Sequence, residues 1–365
     1  MPLAKSISQN LFILFFLFIP LGLLLSGMEK RLEDASVIAN SIRENIERRL
    51  YTLDFDVQCH FATRMYRVTG DKSYTKPIVA WFLAEKEKLL TDLKNASSKR
   101  YVSNRSEELF EEYKMRVKRK AGRDVKEVKR IKLFSTRKES LFYYRIIENL
   151  YFLKNFGLSK GKLGCAFKRG LTFLRNRKDE IKNYIFEDSA IKYYGTQLIN
   201  QVNYLKFLGV VDVIPSFENK FIKMFMKRKR LPDYMYRNKI YGLTHFIIAD
   251  SDYYQRFASK RFMWIIDYFR NNIGEIIGKT NADIISEVGL CFKLMRVKDR
   301  KVFKLVTNYL LNAYDGKIGY IPRDDSKDLN IAEHTNIVAF LFLHNFRRFY
   351  KGPDIRNIVE QFITP

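Results

Sequence analysis

From about residue 29 to the C-terminus, apolar residues recur every three or four positions, the period of an α-helix rather than the two-residue alternation of a strand. Residues 29–52 read as a charged amphipathic helix, with Leu32, Ala35, Val37, Ile38, Ile42 and Ile46 as its apolar set. From residue 54 a unit repeats: an apolar helix, a short polar turn and a second helix. Its clearest copies are Met65–Tyr74 (MYRVTGDKSY) and Leu294–Phe303 (LMRVKDRKVF), which align Arg67 with Arg296, Lys72 with Lys301 and Tyr74 with Phe303. Breaks also fall at Gly157, Gly209, 249–252 and 350–353. The spacing predicts six hairpins, over about 54–95, 138–183, 188–228, 239–274, 281–313 and 331–362. Residues 96–137 form an insertion, helical over 107–120. The first helix of each hairpin is the more apolar yet carries isolated polar residues, as in Tyr241–Asp250, which marks it as the inner one. The expected fold is all-α, with the hairpins closing into a ring.

Composition agrees with this picture. Gly and Pro number only 25 of 365 residues, too few for a turn-dense β protein, and a 47% apolar share excludes disorder. Cys59, Cys165 and Cys291 are far apart, contain no CxxC and read as small buried hydrophobes.

The run Leu11–Leu25, extended to residue 28, has the length of a signal sequence or a marginal membrane anchor. The chain therefore divides into a signal or anchor (1–28), an amphipathic linker helix (29–53) and a helical domain (54–365). The expected location is extracytoplasmic, periplasmic if bacterial, with residues 11–28 holding the membrane if uncleaved.

The formal charge is +26, and two stretches carry most of the excess: +9 over 98–138 and +7 over 220–239. Such patches attract polyanions, either an acidic glycan or an anionic lipid surface. The aromatics fall on helical spacing and read as core, which disfavours nucleic acid as the partner.

Three stretches together resemble α/α-toroid proteins: Met65–Tyr74, Glu287–Leu294 (EVGLCFKL) and Glu333–Ala339 (EHTNIVA). That superfamily includes six-hairpin glycosidases, polysaccharide lyases and uronyl epimerases. The resemblance covers most of 54–362 and implies a toroid; it matches no enzyme family at a catalytic motif.

In a closed ring the starts of the inner helices meet at one rim. The candidate catalytic residues there are Glu287 and Glu333 as an acid–base pair, with His245, His334 and Tyr241 as supporting or alternative bases. Arg323, Asp283, Asn336, His60 and Asp56 are candidate ligand-binding residues, Arg323 from the loop 314–325 that could cover the cavity mouth. Asp283 and Glu333 also stand at capping-box spacing from Thr280 and Asn330, which offers them a purely structural role. No HExxH, P-loop or Gly-x-Ser-x-Gly occurs, and the four histidines lack metal-ligand spacing, so no metal or cofactor is expected. The rival to an enzyme is a non-catalytic scaffold docking on an anionic membrane or a partner protein.

Overall fold

The computed structural model describes residues 34–119, 125–227, 230–323 and 326–363; the apolar run 11–28 lies outside them. The structure is about 78% helical and no strand occurs among the described residues, so the all-α expectation holds. No helix among them is long and apolar enough to cross a membrane.

Helix α1 (34–49) turns Ala35, Ala39, Ile42 and Ile46 into the core, while Val37 is exposed. The expected apolar set was therefore one position too wide, because Val37 sits on the helix face opposite the 35/39/42/46 stripe. Residues 54–95 form α2 (Phe55–Thr69) and α3 (Thr75–Asn95). The insertion is more helical than its sequence suggested: α4 (Lys99–Arg119) is followed by α5 (Val125–Ser135). Then come α6 (Glu139–Asn155), α7 (Gly164–Asn176), α8 (Lys178–Ile185), α9 (Asp188–Leu208) and α10 (Ile214–Phe225). They are followed by α11 (Asp233–Asp250), α12 (Met263–Lys279), α13 (Ala282–Leu294), α14 (Arg300–Ala313) and α15 (Leu329–Leu343). After α15 the chain differs from the expected sixth hairpin. Residues 345–355 are not helical, and α16 (Arg356–Val359) is a single turn.

The two helices of a pair differ in burial. In α14 only Val302, Val306 and Leu310 are buried, one stripe at four-residue spacing. In α13 eleven of thirteen residues are buried, so it has no solvent face. The same holds for most of α11 and α15. These first helices pack on one another in chain order, α6 on α9, α9 on α11, α11 on α13 and α13 on α15, and α15 returns to α2. Each second helix packs against its own first helix, α3 on α2, α7 on α6, α10 on α9, α12 on α11 and α14 on α13.

Close approach between helices depends on glycine at two positions. A Cβ on Gly289 would lie 2.6 Å from the Phe342 ring, and one on Gly242 would lie 2.4 Å from the Phe221 ring. Two of the cysteines, Cys59 and Cys291, are buried, but Cys165 near the start of α7 is exposed. Its neighbours Gly164, Lys168 and Arg169 already place it on the polar side of that helix.

Candidate functional site

The first helices bring several of the expected residues together. Asp283 and Glu287 are one turn apart on α13 and share a face. Opposite them on α15 stands His334, whose Nδ1 lies 2.7 Å from Asp283 Oδ1 and whose Nε2 lies 3.9 Å from Glu287 Oε1. From α11, His245 places Nε2 3.6 Å from the same Glu287 oxygen, and its Nδ1 is 3.0 Å from Asn200 Oδ1. The Thr244 hydroxyl donates to Glu287 Oε2. On α2, His60 Nδ1 is 2.8 Å from Glu333 Oε2, and the His60 and His334 rings lie 5.0 Å apart. Tyr241 packs edge-on against His245, with ring centroids 4.9 Å apart. Arg323 approaches Asp283 Oδ2 at 3.7 Å.

The two capping-box readings do not hold. Asn281 caps α13 through Ile284 N and Asp328 caps α15 through Asn330 N, so both helix starts are served by other residues. That frees Asp283 and Glu333 to face histidines. Two candidates lie away from the cluster. Asn336 accepts from Ile321 N and donates to Ile321 O and Ala332 O, so its amide pins the 314–323 loop instead of offering itself to a ligand. Asp56 accepts from Trp81 Nε1 at 2.7 Å, an indole packed among Phe152 and Phe156. The loop itself is ordered from both sides, since Ser41 and Asn45 of α1 donate to Gly319 O.

The electrostatics follow from burial. Asp283 is opposed by burial but sits beside His334, Arg323 and His245, whose charges hold its carboxyl well below the usual range. Burial pulls the His334 imidazole down, yet the Asp283 charge and hydrogen bond and the Glu287 charge outweigh it, and the net direction is up. His60 goes the other way, to about 4, through burial and the Arg64 charge. Burial and the charges of Asp283 and Glu287 push the Tyr241 phenol well up.

Sequence reasoning missed Thr244, Asn200, Arg64 and Tyr254. Arg64 donates to His60 O and lies 5.7 Å from the centre of the Tyr254 ring. A signal existed, because His60, Arg64 and Arg67 recur at i, i+4 and i+7 on one helix face. Tyr254 had none. It ends a run of three left-handed residues, Asp252, Tyr253 and Tyr254 (φ 52°, 55° and 72°). Each such residue costs about 1–2 kcal/mol, so the turn must be held. Ser251 Oγ accepts from Tyr254 N, Arg67 donates to Tyr253 O, and the Tyr253 hydroxyl donates to Asn200 Oδ1.

The accessible edge of the cluster is made of cationic or imidazole groups. His60, His334 and Arg323 side chains are 26%, 24% and 30% exposed, against 1% for Glu287, 3% for Glu333 and 4% for Asp283. Ligand atoms of Asp283, Glu287 and His334 all lie within 4.8 Å of one another, a grouping able to hold a metal ion. A separate cleft of about 740 Å³ lies among α4, α6 and α8, beside Ser106, Thr136, Arg137, Tyr143 and Glu187. It contains none of these residues, and its Arg137 is paired with Glu187 at 3.1 Å.

A family of domains described as being of unknown function, DUF3541, matches residues 35–364. The chain belongs to the DUF3541 family. Neither a curated protein nor a solved structure matches it. Within this DUF3541 chain the matched span takes in α1 as well as every residue of the cluster, so α1 is part of the family unit.

Proposed function

We propose that the DUF3541 chain closes as an (α/α) toroid, exported or anchored through residues 11–28, and acts on an acidic glycan at the His60–Glu287–His334 cluster. The toroid reading is supported by the return contact of α15 on α2, which links the last first-helix to the first. The apolar run Leu11–Leu25 supports export, and the +26 charge supports an anionic substrate.

One observation carries the choice of chemistry: imidazoles stand at the accessible edge and the carboxylates stand behind them. Hydrolysis needs two carboxyl groups facing the glycosidic bond. Here Glu333 is engaged by His60 and Glu287 by Thr244, each almost wholly buried. Proton abstraction beside a uronate carboxylate instead needs a base, a proton donor and a cation. With Nδ1 held by Glu333, His60 keeps Nε2 for the C5 proton. The electron pair so freed forms the C4–C5 double bond as the C4–O bond breaks, and a phenol such as Tyr241 returns a proton to the leaving oxygen. Arg323 faces the substrate carboxylate. Return of the proton to C5 from the other side, without C4–O cleavage, gives an epimerase on the same residues.

The test incubates the purified chain with a panel of polyuronides and neutral glycans, following reducing ends and the absorbance of unsaturated uronyl products. New reducing ends with unsaturation, lost in His60→Gln, support the lyase. Reducing ends without unsaturation would replace it by a hydrolase. With no release, C5 exchange of solvent deuterium separates the epimerase from the scaffold that docks through 98–138; absence of exchange as well contradicts the enzymatic reading.

A further inference from the structure

We infer that Glu287, His245 and His334 form a binding site for a divalent transition-metal ion of the zinc class, with Asp283 and Asn200 as the groups that orient the two imidazoles. Asn200 Oδ1 is an acceptor already receiving the Tyr253 hydroxyl, so His245 meets it as Nδ1–H. Asp283 is likewise an acceptor for His334, at 2.7 Å. In the neutral form that a metal ion takes up, each ring then presents Nε2 as a lone pair, and for His334 the ion would displace the proton that Asp283 and Glu287 favour. Each Nε2 lies near the same Glu287 oxygen, at 3.6 Å and 3.9 Å, beyond hydrogen-bond distance.

His245 Nε2 is buried and has no hydrogen-bond partner at all, in a residue only 9% exposed. A buried, unpartnered imidazole nitrogen beside a buried carboxylate oxygen is unfavourable unless a cation joins them. Tetrahedral ligands at zinc, with bonds of about 2.0–2.1 Å, stand roughly 3.4 Å apart, close to the 3.6 Å and 3.9 Å between Glu287 Oε1 and the two imidazole nitrogens. A carboxylate or amide behind each ligating histidine is the usual outer shell of such sites, and here both are present. A two-histidine, one-carboxylate donor set suits zinc over calcium or magnesium, which prefer oxygen alone. Asp283 lies close enough to serve as a further ligand.

The site stands on this geometry; only its purpose rests on the proposed reaction, where an ion beside the exposed edge of His334 would face the substrate carboxylate.

The experiment strips the purified full-length chain with chelator, reloads it with zinc and measures bound metal by equilibrium dialysis and elemental analysis. Cobalt(II) absorption reports the ligand geometry. The expected result is one zinc per chain, lost in His245→Gln and Glu287→Gln. Asn200→Ala, which leaves the ligands in place, should bind about 10–100-fold more weakly. A chain that holds no zinc after reloading overturns the inference, as does zinc retained undiminished in the two ligand variants. Zinc binding without turnover on any glycan would uphold the metal site and remove the proposed reaction. Turnover that survives complete metal removal would leave the reaction standing and remove the ion from it.

Discussion

Two of the buried charge clusters among the described residues are built differently. At the junction of α3 and α4, Asp92 is wholly buried and accepts from Arg105 Nε at 3.2 Å and the Tyr101 hydroxyl at 2.7 Å. Arg105 also donates to Glu108 and Glu112. Cation meets anion directly, although Asp92 Oδ2 and Arg105 Nη2 are left without a hydrogen-bond partner. Between α11, α13 and α15, Asp283 is paired with His334 and Arg323, but Glu287 faces His245 Nε2, which has no hydrogen-bond partner. A matched pair holds its helices together, whereas an unmatched one must be held by them. Unmatched burial is what a binding or catalytic centre requires, since its missing partner arrives from outside.

The largest expected effect breaks the matched cluster. Asp92→Ala leaves the Arg105 guanidinium buried beside a gap and should cost about 3–5 kcal/mol in urea denaturation. A loss below about 1 kcal/mol would mean that the pair contributes no more than a surface ion pair.

A smaller effect tests what holds the unmatched cluster in place. Gly289, two residues beyond Glu287, lets α13 approach Phe342. Gly289→Ala should cost about 1–3 kcal/mol through overpacking and should weaken zinc retention by displacing Glu287. Thermal unfolding and metal retention measured together would show whether the two move in step.

Much of this was legible in the sequence. The helices announced themselves by period and by Gly or Asp breaks, and the pairs Asp283/Glu287 and Tyr241/His245 by one-turn spacing inside very apolar stretches. The register between helices was not legible. That Thr244 meets Glu287, or that Asn200 meets both His245 and Tyr253, depends on packing across 43 to 53 residues of chain. Local motif reasoning also misled where two residues competed for one role. Asp283 and Glu333 had capping spacing, but Asn281 and Asp328 took the caps. Asn336 looked like a ligand group among apolar neighbours and proved to be the anchor of a loop.

The smallest expected effect concerns a third kind of burial, a cation without an anion. Lys293 donates to His344 O at 2.9 Å and packs over the Phe342 and Phe346 rings. Burial lowers its pKa from 10.5 to about 8. Between those values the unfolded chain binds a proton that the folded one does not, so stability rises with pH across that window, and the buried charge is a cost below it. Lys293→Met should therefore stabilise at pH 7 by about 1 kcal/mol, after allowing for the lost hydrogen bond. The gain should vanish by about pH 10. A Met variant that is less stable at pH 7 would show that the rings and the carbonyl outweigh desolvation.

The most direct test of the central claim is the unfolding free energy of Glu287→Gln against the wild-type chain, both in chelator. If the cluster is unmatched, the introduced amide donates to a bare imidazole nitrogen while its oxygen still accepts from Thr244. The variant should then be as stable as the wild type, or more stable by about 1 kcal/mol. A loss of about 3 kcal/mol or more would show that Glu287 was already paired with protonated imidazoles, and that this cluster, like Asp92 and Arg105, serves the fold.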